Sequence, residues 1–353
     1  MNIPRMGFCC KFIPYQADQD VKLLNATSTT VAWLNRQTRQ VAEQKLWDIA
    51  HHNCDAYSRV FEIMSTWPEH LRQIRLGSEM LPVYTESTWS YFWQQPDIQA
   101  AVGKKLLALG DLARKHNIRL SQHPGQFVCM ASDRPDVVER SIAEFEYHVD
   151  VARMMGYGNS WHDHGYKINI HISGKLGVAG MATSIRRLST QARNLLTLEN
   201  DEISWGLDDV LLLKKHVAVV MDVHHHWVKT GEYIAPNDDR VKQVIDSWRG
   251  VRPVLHYSLP IEGVLHENKG KRNTAKLRAH STMCWDASVN DYVLQFWDQF
   301  DIQGEFKNKN LAQWQLFEHA INTGHIKVLQ THENNSAKRL PTTLEPQTHH
   351  GIV

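Results

Sequence analysis

The chain has no stretch approaching the roughly 18 consecutive apolar residues that a membrane-crossing helix needs, so no membrane span is expected. Residues 1–12 show no charged-then-apolar leader pattern. The five cysteines, Cys9, Cys10, Cys54, Cys129 and Cys284, are odd in number and form no C-x-x-C pair. That pattern excludes a disulfide framework and favours a reducing, cytoplasmic setting. An excess of one charge is missing too. With 39 basic and 38 acidic residues and a net charge of +1, no overall field draws the chain to nucleic acid or to a membrane surface, and any basic groove must be local. No internal repeat or low-complexity linker divides the sequence, and no G-x-G-x-x-G follows the first apolar run, which weighs against a doubly wound open sheet.

What is abundant is histidine, with 21 residues, and tryptophan, with 12, in a chain of 353. Tryptophans mostly pack, whereas histidines matter when they recur at equivalent places. Eight short apolar runs close on polar residues, at 6–10, 73–77, 118–123, 167–172, 195–201, 219–226, 253–257 and 301–305. Between them lie helical periodicities at 31–51, 53–67, 96–117, 136–155, 178–194, 207–216, 237–248, 286–300 and 310–322. Pro135 marks a helix start and Gly156 a helix end. Strands alternating with helices over about 300 residues predict an α/β protein with a parallel sheet, and eight is the number that closes a barrel. The expectation is a single (β/α)8 TIM barrel over residues 1–325 and a C-terminal extension, 326–353, loosely ordered or packed on the barrel.

Such a barrel collects its chemistry at the carboxyl ends of its strands, and metal-binding residue types fall there repeatedly. His123, His171, Glu199, Asp222 with His225, His256 and Glu305 end six consecutive strands, and His280 follows in the loop after the seventh. The run Val219-Val220-Met221-Asp222-Val223-His224-His225-His226 is the densest case. Strand alternation sends Asp222 and His224 to one face, so a bend at the strand end is needed to bring Asp222 and His225 together. Carboxylates with neutral imidazoles suit zinc or manganese. The number of ligands is enough for two or three ions, which suits phosphodiester hydrolysis by a metal-activated hydroxide. A sugar isomerase or epimerase on the same barrel class is the alternative enzyme, and a non-catalytic lesion-binding derivative is a third reading.

The word His123-Pro124-Gly125-Gln126-Phe127 forces a tight turn after the third strand. That turn would project Gln126, a donor and acceptor, and Phe127, a flat face able to stack on or wedge between bases. Lys269, Lys271 and Arg272 after the seventh strand, with Lys307 and Lys309 after the eighth, supply positive charge for phosphate contacts without sequence readout.

Taken in order, Arg75-Leu76-Gly77-Ser78-Glu79-Met80-Leu81-Pro82, His123-Pro124-Gly125-Gln126-Phe127, Leu198-Glu199-Asn200-Asp201, Asp222-Val223-His224-His225, His256-Tyr257-Ser258, His280-Ser281 and Glu305-Phe306-Lys307 resemble the motif series of the UV damage endonucleases, a metal-dependent barrel family related in fold to apurinic-site endonucleases and xylose isomerases. The resemblance implies cleavage of damaged double-stranded DNA directly 5′ of UV photoproducts and some other lesions. It implies two or three divalent ions, manganese ahead of zinc, cobalt or magnesium, with neither a membrane nor an obligate protein partner. It makes ligands of His123, His171, Glu199, Asp222, His225, His256, His280 and Glu305, and places Glu86 where the family has a histidine after the second strand. Glu199, Asp222, Glu305 and Lys307 form its catalytic set, and Gln126 and Phe127 its lesion probe. The chain departs from the family pattern where Phe127 replaces a tyrosine, Phe8-Cys9 replaces Tyr-Pro, and Val254 replaces a modified lysine. Metal occupancy and lesion range are what these departures bear on.

Overall fold

The computed structural model describes residues 3–15, 19–125, 127–264 and 275–326. Gln126, Lys269, Lys271, Arg272 and the tail from residue 327 lie outside the described residues. The eight strands are β1 (Met6–Cys9), β2 (Gln73–Leu76), β3 (Arg119–Gln122), β4 (Lys167–His171), β5 (Leu196–Glu199), β6 (Ala218–Asp222), β7 (Val254–Tyr257) and β8 (Asp301–Gly304). Each pairs in parallel with the next, and β8 returns to β1 through Met6↔Ile302 and Gly7↔Gln303, which closes the barrel. All eight expected runs are strands of the (β/α)8 barrel. Among the described residues no helix is long and apolar enough to cross a membrane.

The helices pack their apolar stripes outside this ring. Prolines preset the first turn of Pro96–Lys115 and of Pro135–Met154, and Gly156, at φ +88°, follows the second. One expectation fails instructively. The segments read as two helices, 31–51 and 53–67, are a short turn at Val31–Leu34 and one 27-residue helix, Arg39–Ser65. The polar run His51-His52-Asn53 looked like a break, but Asn53 is buried inside the helix. Its amide donates to Thr27 O at 3.0 Å and Glu79 O at 2.9 Å and accepts from Thr27 N–H at 2.8 Å, tying the helix to two loops. The segment expected as a helix over 178–194 divides at Leu188 into Gly177–Arg187 and Thr190–Leu195.

Inside, the barrel is polar over much of its length. Side chains on alternate strand residues face inward, which sets Lys167, Asn169 and His171 of β4 in one row and Thr197 and Glu199 of β5 in the next. Gln73 donates to Gln303 across the interior at 3.1 Å. Gly7 makes room for that bridge, since a Cβ there would lie 2.6 Å from Gln73 Cγ. Thr197 donates to Asn169 at 2.7 Å. The interior is thus a hydrogen-bonded column that ends at the carboxyl side in the acidic and histidine residues.

Candidate metal centre

Register alone brings most of the cluster together, because His171 is the Cα partner of Glu199 and Asp222 that of His256. Asp222 is the last residue of β6, and the chain turns directly into the helix Val223–Thr230. The expected strand-end bend is therefore a strand-to-helix junction: Asp222 caps the helix, its Oδ1 accepting the His225 N–H at 2.7 Å. The cap leaves Asp222 Oδ2 3.8 Å from His225 Nδ1. Asn200, just past β5, fixes the same junction by accepting the Asp222 N–H at 2.9 Å and donating to Asp222 O at 3.0 Å.

Glu199 is the hub. Its Oε2 lies 3.8 Å from both His123 Nε2 and His171 Nε2, and its Oε1 lies 3.0 Å from His256 Nδ1 and 3.6 Å from His225 Nδ1. His256 Nδ1 is also 3.1 Å from Glu305 Oε1, and His280 Nδ1 is 3.9 Å from Glu305 Oε2. Three sets of donor atoms each lie within 4.8 Å of one another: His123, His171 and Glu199; Glu199, Asp222 and His225; Asp222, His256 and Glu305. Sharing of Glu199 and Asp222 between sets suits bridged ions. Asp222 Oδ2 is buried with no hydrogen-bond partner among protein atoms, and Glu199 Oε1 and His256 Nδ1, buried 3.0 Å apart, make no well-aligned hydrogen bond. Buried polar atoms are almost always satisfied, so converging orphan acceptors fit cations.

Backbone carbonyls set the imidazole tautomers. His123 Nδ1 lies 2.8 Å from Pro124 O, His225 Nδ1 3.1 Å from Asn200 O and His280 Nδ1 2.7 Å from Glu305 O. In the neutral ring a proton on each Nδ1 would donate to its carbonyl and leave Nε2 as a lone pair, the arrangement common around metal-binding histidines. Burial pushes His171 down to about 4, so it is neutral near pH 7. Burial also pushes Asp222 up to about 7, with His225 opposing and Glu199 and Glu305 adding to the rise. For His225 burial acts downward but is outweighed by Asp222, Glu199 and Glu202, which hold it up at about 9. Burial would raise Glu305, yet Arg75 and then His256 keep it well below the usual carboxylate range.

A cavity of about 880 Å³ opens over this cluster, walled by His123, His171, His225, His280 and Glu305 together with Arg75 and Trp205. The model of the UV-endonuclease UvdE family matches residues 4–334. The chain belongs to the UvdE family. It is 27% identical over 304 residues to the UV DNA damage endonuclease of Bacillus mycoides (strain KBAB4), covering 82% of this chain and 87% of that protein. The UV DNA damage endonuclease of Bacillus cereus (strain B4264) is 25% identical over 307 residues, covering 83% and 88%. In fold the chain is similar to the crystal structure of SacUVDE, with a TM-score of 0.73, 21% identity and coverage of 92% of this chain and 100% of that one. It is less similar to endonuclease IV from Thermus thermophilus, with a TM-score of 0.50, 12% identity and coverage of 76% and 94%. Membership of the UvdE family removes the sugar isomerase alternative.

Within this UvdE barrel the structure gathers His123, His171, Glu199, Asp222, His225, His256, His280 and Glu305. It does not bring Glu86 to them. That carboxylate instead accepts from the Thr88 N–H at 3.0 Å and the Trp89 N–H at 3.1 Å, capping the turn before Ser90–Trp93. The side chains of His224 and His226 are buried outside the three donor sets, and His224 Nε2 lies 3.1 Å from Leu277 O. Lys307 is exposed, with its backbone N–H donating to Ser281 O at 3.0 Å, and Lys309 is half-buried. Neither lines the cavity over the cluster. Phe127 is 84% exposed, a large apolar ring held in water.

Four residues that contact the expected ligands were not among the expected site residues. Arg75 pairs with Glu305, and Asn169 donates to Glu199. Lys167 Nζ lies 3.0 Å from His256 Nε2, and Glu202 lies 3.8 Å from His225 Nε2. The signal for Lys167 and Asn169 was present as two-residue spacing with His171, and Glu202 directly extends the word Leu198-Glu199-Asn200-Asp201.

Proposed function

We propose that the chain is a metal-dependent DNA repair endonuclease that hydrolyses the phosphodiester immediately 5′ of UV photoproducts in double-stranded DNA. The observation that carries the reading is the convergence of Glu199 Oε1, Asp222 Oδ2 and His256 Nδ1, buried and without a well-aligned hydrogen bond, at the mouth of a UvdE-family barrel. His123, His171, Glu199, Asp222, His225, His256, His280 and Glu305 would hold two or three divalent ions, with manganese a good match to their mixed imidazole and carboxylate donors. Bound there, such ions supply Lewis-acid stabilisation of the phosphoryl oxygens and activation of water.

The chain's own groups prepare that site. Asn169 and Arg75 hold the Glu199 and Glu305 carboxylates in place, and the carbonyls of Pro124, Asn200 and Glu305 keep three imidazole lone pairs directed away from the backbone. Lys167 Nζ, 3.0 Å from His256 Nε2, would hold that ring in place, and burial in the barrel brings Lys167 down to about 7 against the pull of Glu199. Phe127, projecting beside the cavity, offers a stacking face to unpaired bases, and damage lowers the cost of exposing them. Lys307, Lys309 and, outside the described residues, Lys269, Lys271 and Arg272 would contact backbone phosphates.

The test is nicking of UV-irradiated against undamaged supercoiled plasmid, with manganese or with EDTA. Nicking should need both damage and metal and be lost in Asp222→Ala. Equal nicking of undamaged plasmid, or full activity in Asp222→Ala, would refute the reading.

A further inference from the structure

The loop after β5 carries two acidic residues in a row, and the fold uses them differently. Asp201 is spent on the backbone. Its Oδ1 accepts the Ile203 N–H at 2.6 Å and the Ser204 N–H, its Oδ2 accepts the Trp205 N–H at 2.9 Å, and its own N–H donates to Trp205 O at 2.9 Å. Lys229 Nζ ties down the same loop by donating to Ile203 O at 2.9 Å and to Ser204 O at 3.2 Å. Glu202 is left for the cavity over the metal centre, which it lines together with His225 and His280. Among the described residues no hydrogen bond reaches its carboxylate, whose Oε1 lies 3.8 Å from Arg278 Nη1 and whose Oε2 lies 3.8 Å from His225 Nε2.

The two ring nitrogens of His225 meet different carboxylates. Nδ1 is 3.1 Å from Asn200 O, and it is the atom that Glu199 Oε1 and Asp222 Oδ2 approach, at 3.6 and 3.8 Å. With the Nδ1 proton given to Asn200 O, the free nitrogen of the neutral ring is Nε2, and the carboxylate it meets is that of Glu202. His225 is only 8% exposed, and a buried ring nitrogen with no hydrogen-bond partner calls for a ligand. The 3.8 Å between Nε2 and Oε2 is too long for a hydrogen bond. Two donors on one divalent ion, each about 2.1 Å from it, stand no more than about 4.2 Å apart, and the pair satisfies that limit. Glu199 and Asp222, by contrast, are buried and do not line the cavity.

We infer that Glu202 is a further ligand of the metal centre, sharing one divalent ion with His225 Nε2 on the cavity side of the buried Glu199 and Asp222 carboxylates. The inference rests on the reading of that centre as metal-binding. Arg278 stands beside the other oxygen of Glu202 and leaves Oε2 to the ion. The ring of His280, its centroid 6.3 Å from that of His225, borders the same cavity. Two protein ligands leave the remaining positions to water and to a phosphate oxygen, the usual arrangement for ions that meet substrate phosphates. This ion is therefore the loosest held of the centre and the one open to DNA.

Manganese titration of the full chain, first stripped with EDTA and followed by electron paramagnetic resonance of the free ion, tests it. Glu202→Gln keeps the size of the side chain and removes its charge. It should weaken the loosest manganese site by at least the roughly tenfold that loss of an outer partner costs, and leave the tighter sites as they are. His225→Ala should weaken the same site, and adding Glu202→Gln to it should cost nothing further, as expected of two ligands on one ion. In the cobalt-loaded chain Glu202→Gln should alter the visible d–d absorption, which reports the ligand set and which a contact outside that set leaves unchanged. If His225→Ala does not fold by circular dichroism, the Glu202→Gln titration and the cobalt spectrum decide alone. Manganese sites in Glu202→Gln equal to those of the parent, additive losses in the double variant, or an unchanged cobalt spectrum would overturn the inference. A parent that binds manganese yet fails to nick irradiated plasmid would refute the endonuclease reading alone, and a parent that binds no manganese would refute both.

Discussion

Lys167, the first residue of β4, reaches up the barrel interior to place Nζ 3.0 Å from His256 Nε2, and so acts on the ring nitrogen other than the one that meets Glu199 and Glu305. An outer partner of this kind fixes ring orientation and tautomer, and its loss typically costs about 10- to 100-fold in metal affinity. Lys167→Met is therefore expected to weaken manganese binding by about that factor, read by titration with free manganese followed by electron paramagnetic resonance. Unchanged affinity would show that the contact is packing alone.

Arg75 is the counter-charge that keeps Glu305 ionised in a half-buried position. Arg75→Met strands that carboxylate, at a cost of about 3 kcal/mol, the low end of the range for breaking a fully buried pair. Bound cations would take over part of the neutralisation. Urea unfolding should accordingly show a large loss in EDTA and a smaller one in manganese. An equal loss in both would mean that no ion reaches Glu305.

His148 lies in the helix Pro135–Met154, fully buried, with Nδ1 2.8 Å from Glu144 O. Burial pushes it down to about 4 from the usual 6.5. Below pH 6.5 the unfolded chain takes up a proton that the folded chain refuses, so stability falls as pH drops from 6.5 towards 4 and is unaffected by this group above 6.5. The contribution reaches about 3 kcal/mol at the bottom of that window. In His148→Gln the dependence of unfolding free energy on pH between 6.5 and 4 should be shallower by one proton. An unaltered slope would mean that His148 titrates normally.

Phe127, 84% exposed, contributes nothing to the core. Phe127→Ala should leave unfolding within about 0.5 kcal/mol of the parent. Loss of a stacking contact worth about 1–3 kcal/mol should weaken binding to UV-irradiated duplex by roughly 5- to 150-fold. Fluorescence anisotropy with irradiated and undamaged duplexes separates the two effects, and equal affinity of both proteins for irradiated DNA would remove Phe127 from the lesion interface.

The barrel was legible because its strands are short apolar runs that stop abruptly, and the centre because His123, His171, Glu199, Asp222, His256 and Glu305 stand at or just beyond six successive stops. What was illegible has a common physical origin. Lys167 and Asn169 are polar side chains buried inside the sheet and Arg75 is half-buried in it, and hydropathy assigns such residues to the surface unless strand alternation is followed residue by residue. Asn53 misled in the same way, its buried amide clamping two loops where the sequence suggested a helix break. Glu86 failed for another reason: the loop after β2 has no periodicity, so nothing fixed which of its acidic residues turns inward. Helix formation at Val223 made the pairing of Asp222 with His225 a capping contact, a three-residue spacing that the strand reading could not produce without an added bend.

The most direct test of the account is to map the cut on an end-labelled duplex carrying one defined cyclobutane pyrimidine dimer, in manganese, for the parent chain and for Asp222→Ala. The account predicts a single break at the phosphodiester immediately 5′ of the dimer, dependent on the metal and absent in Asp222→Ala. Breaks scattered along the strand, a break unaffected by EDTA, or the same break in Asp222→Ala would contradict it.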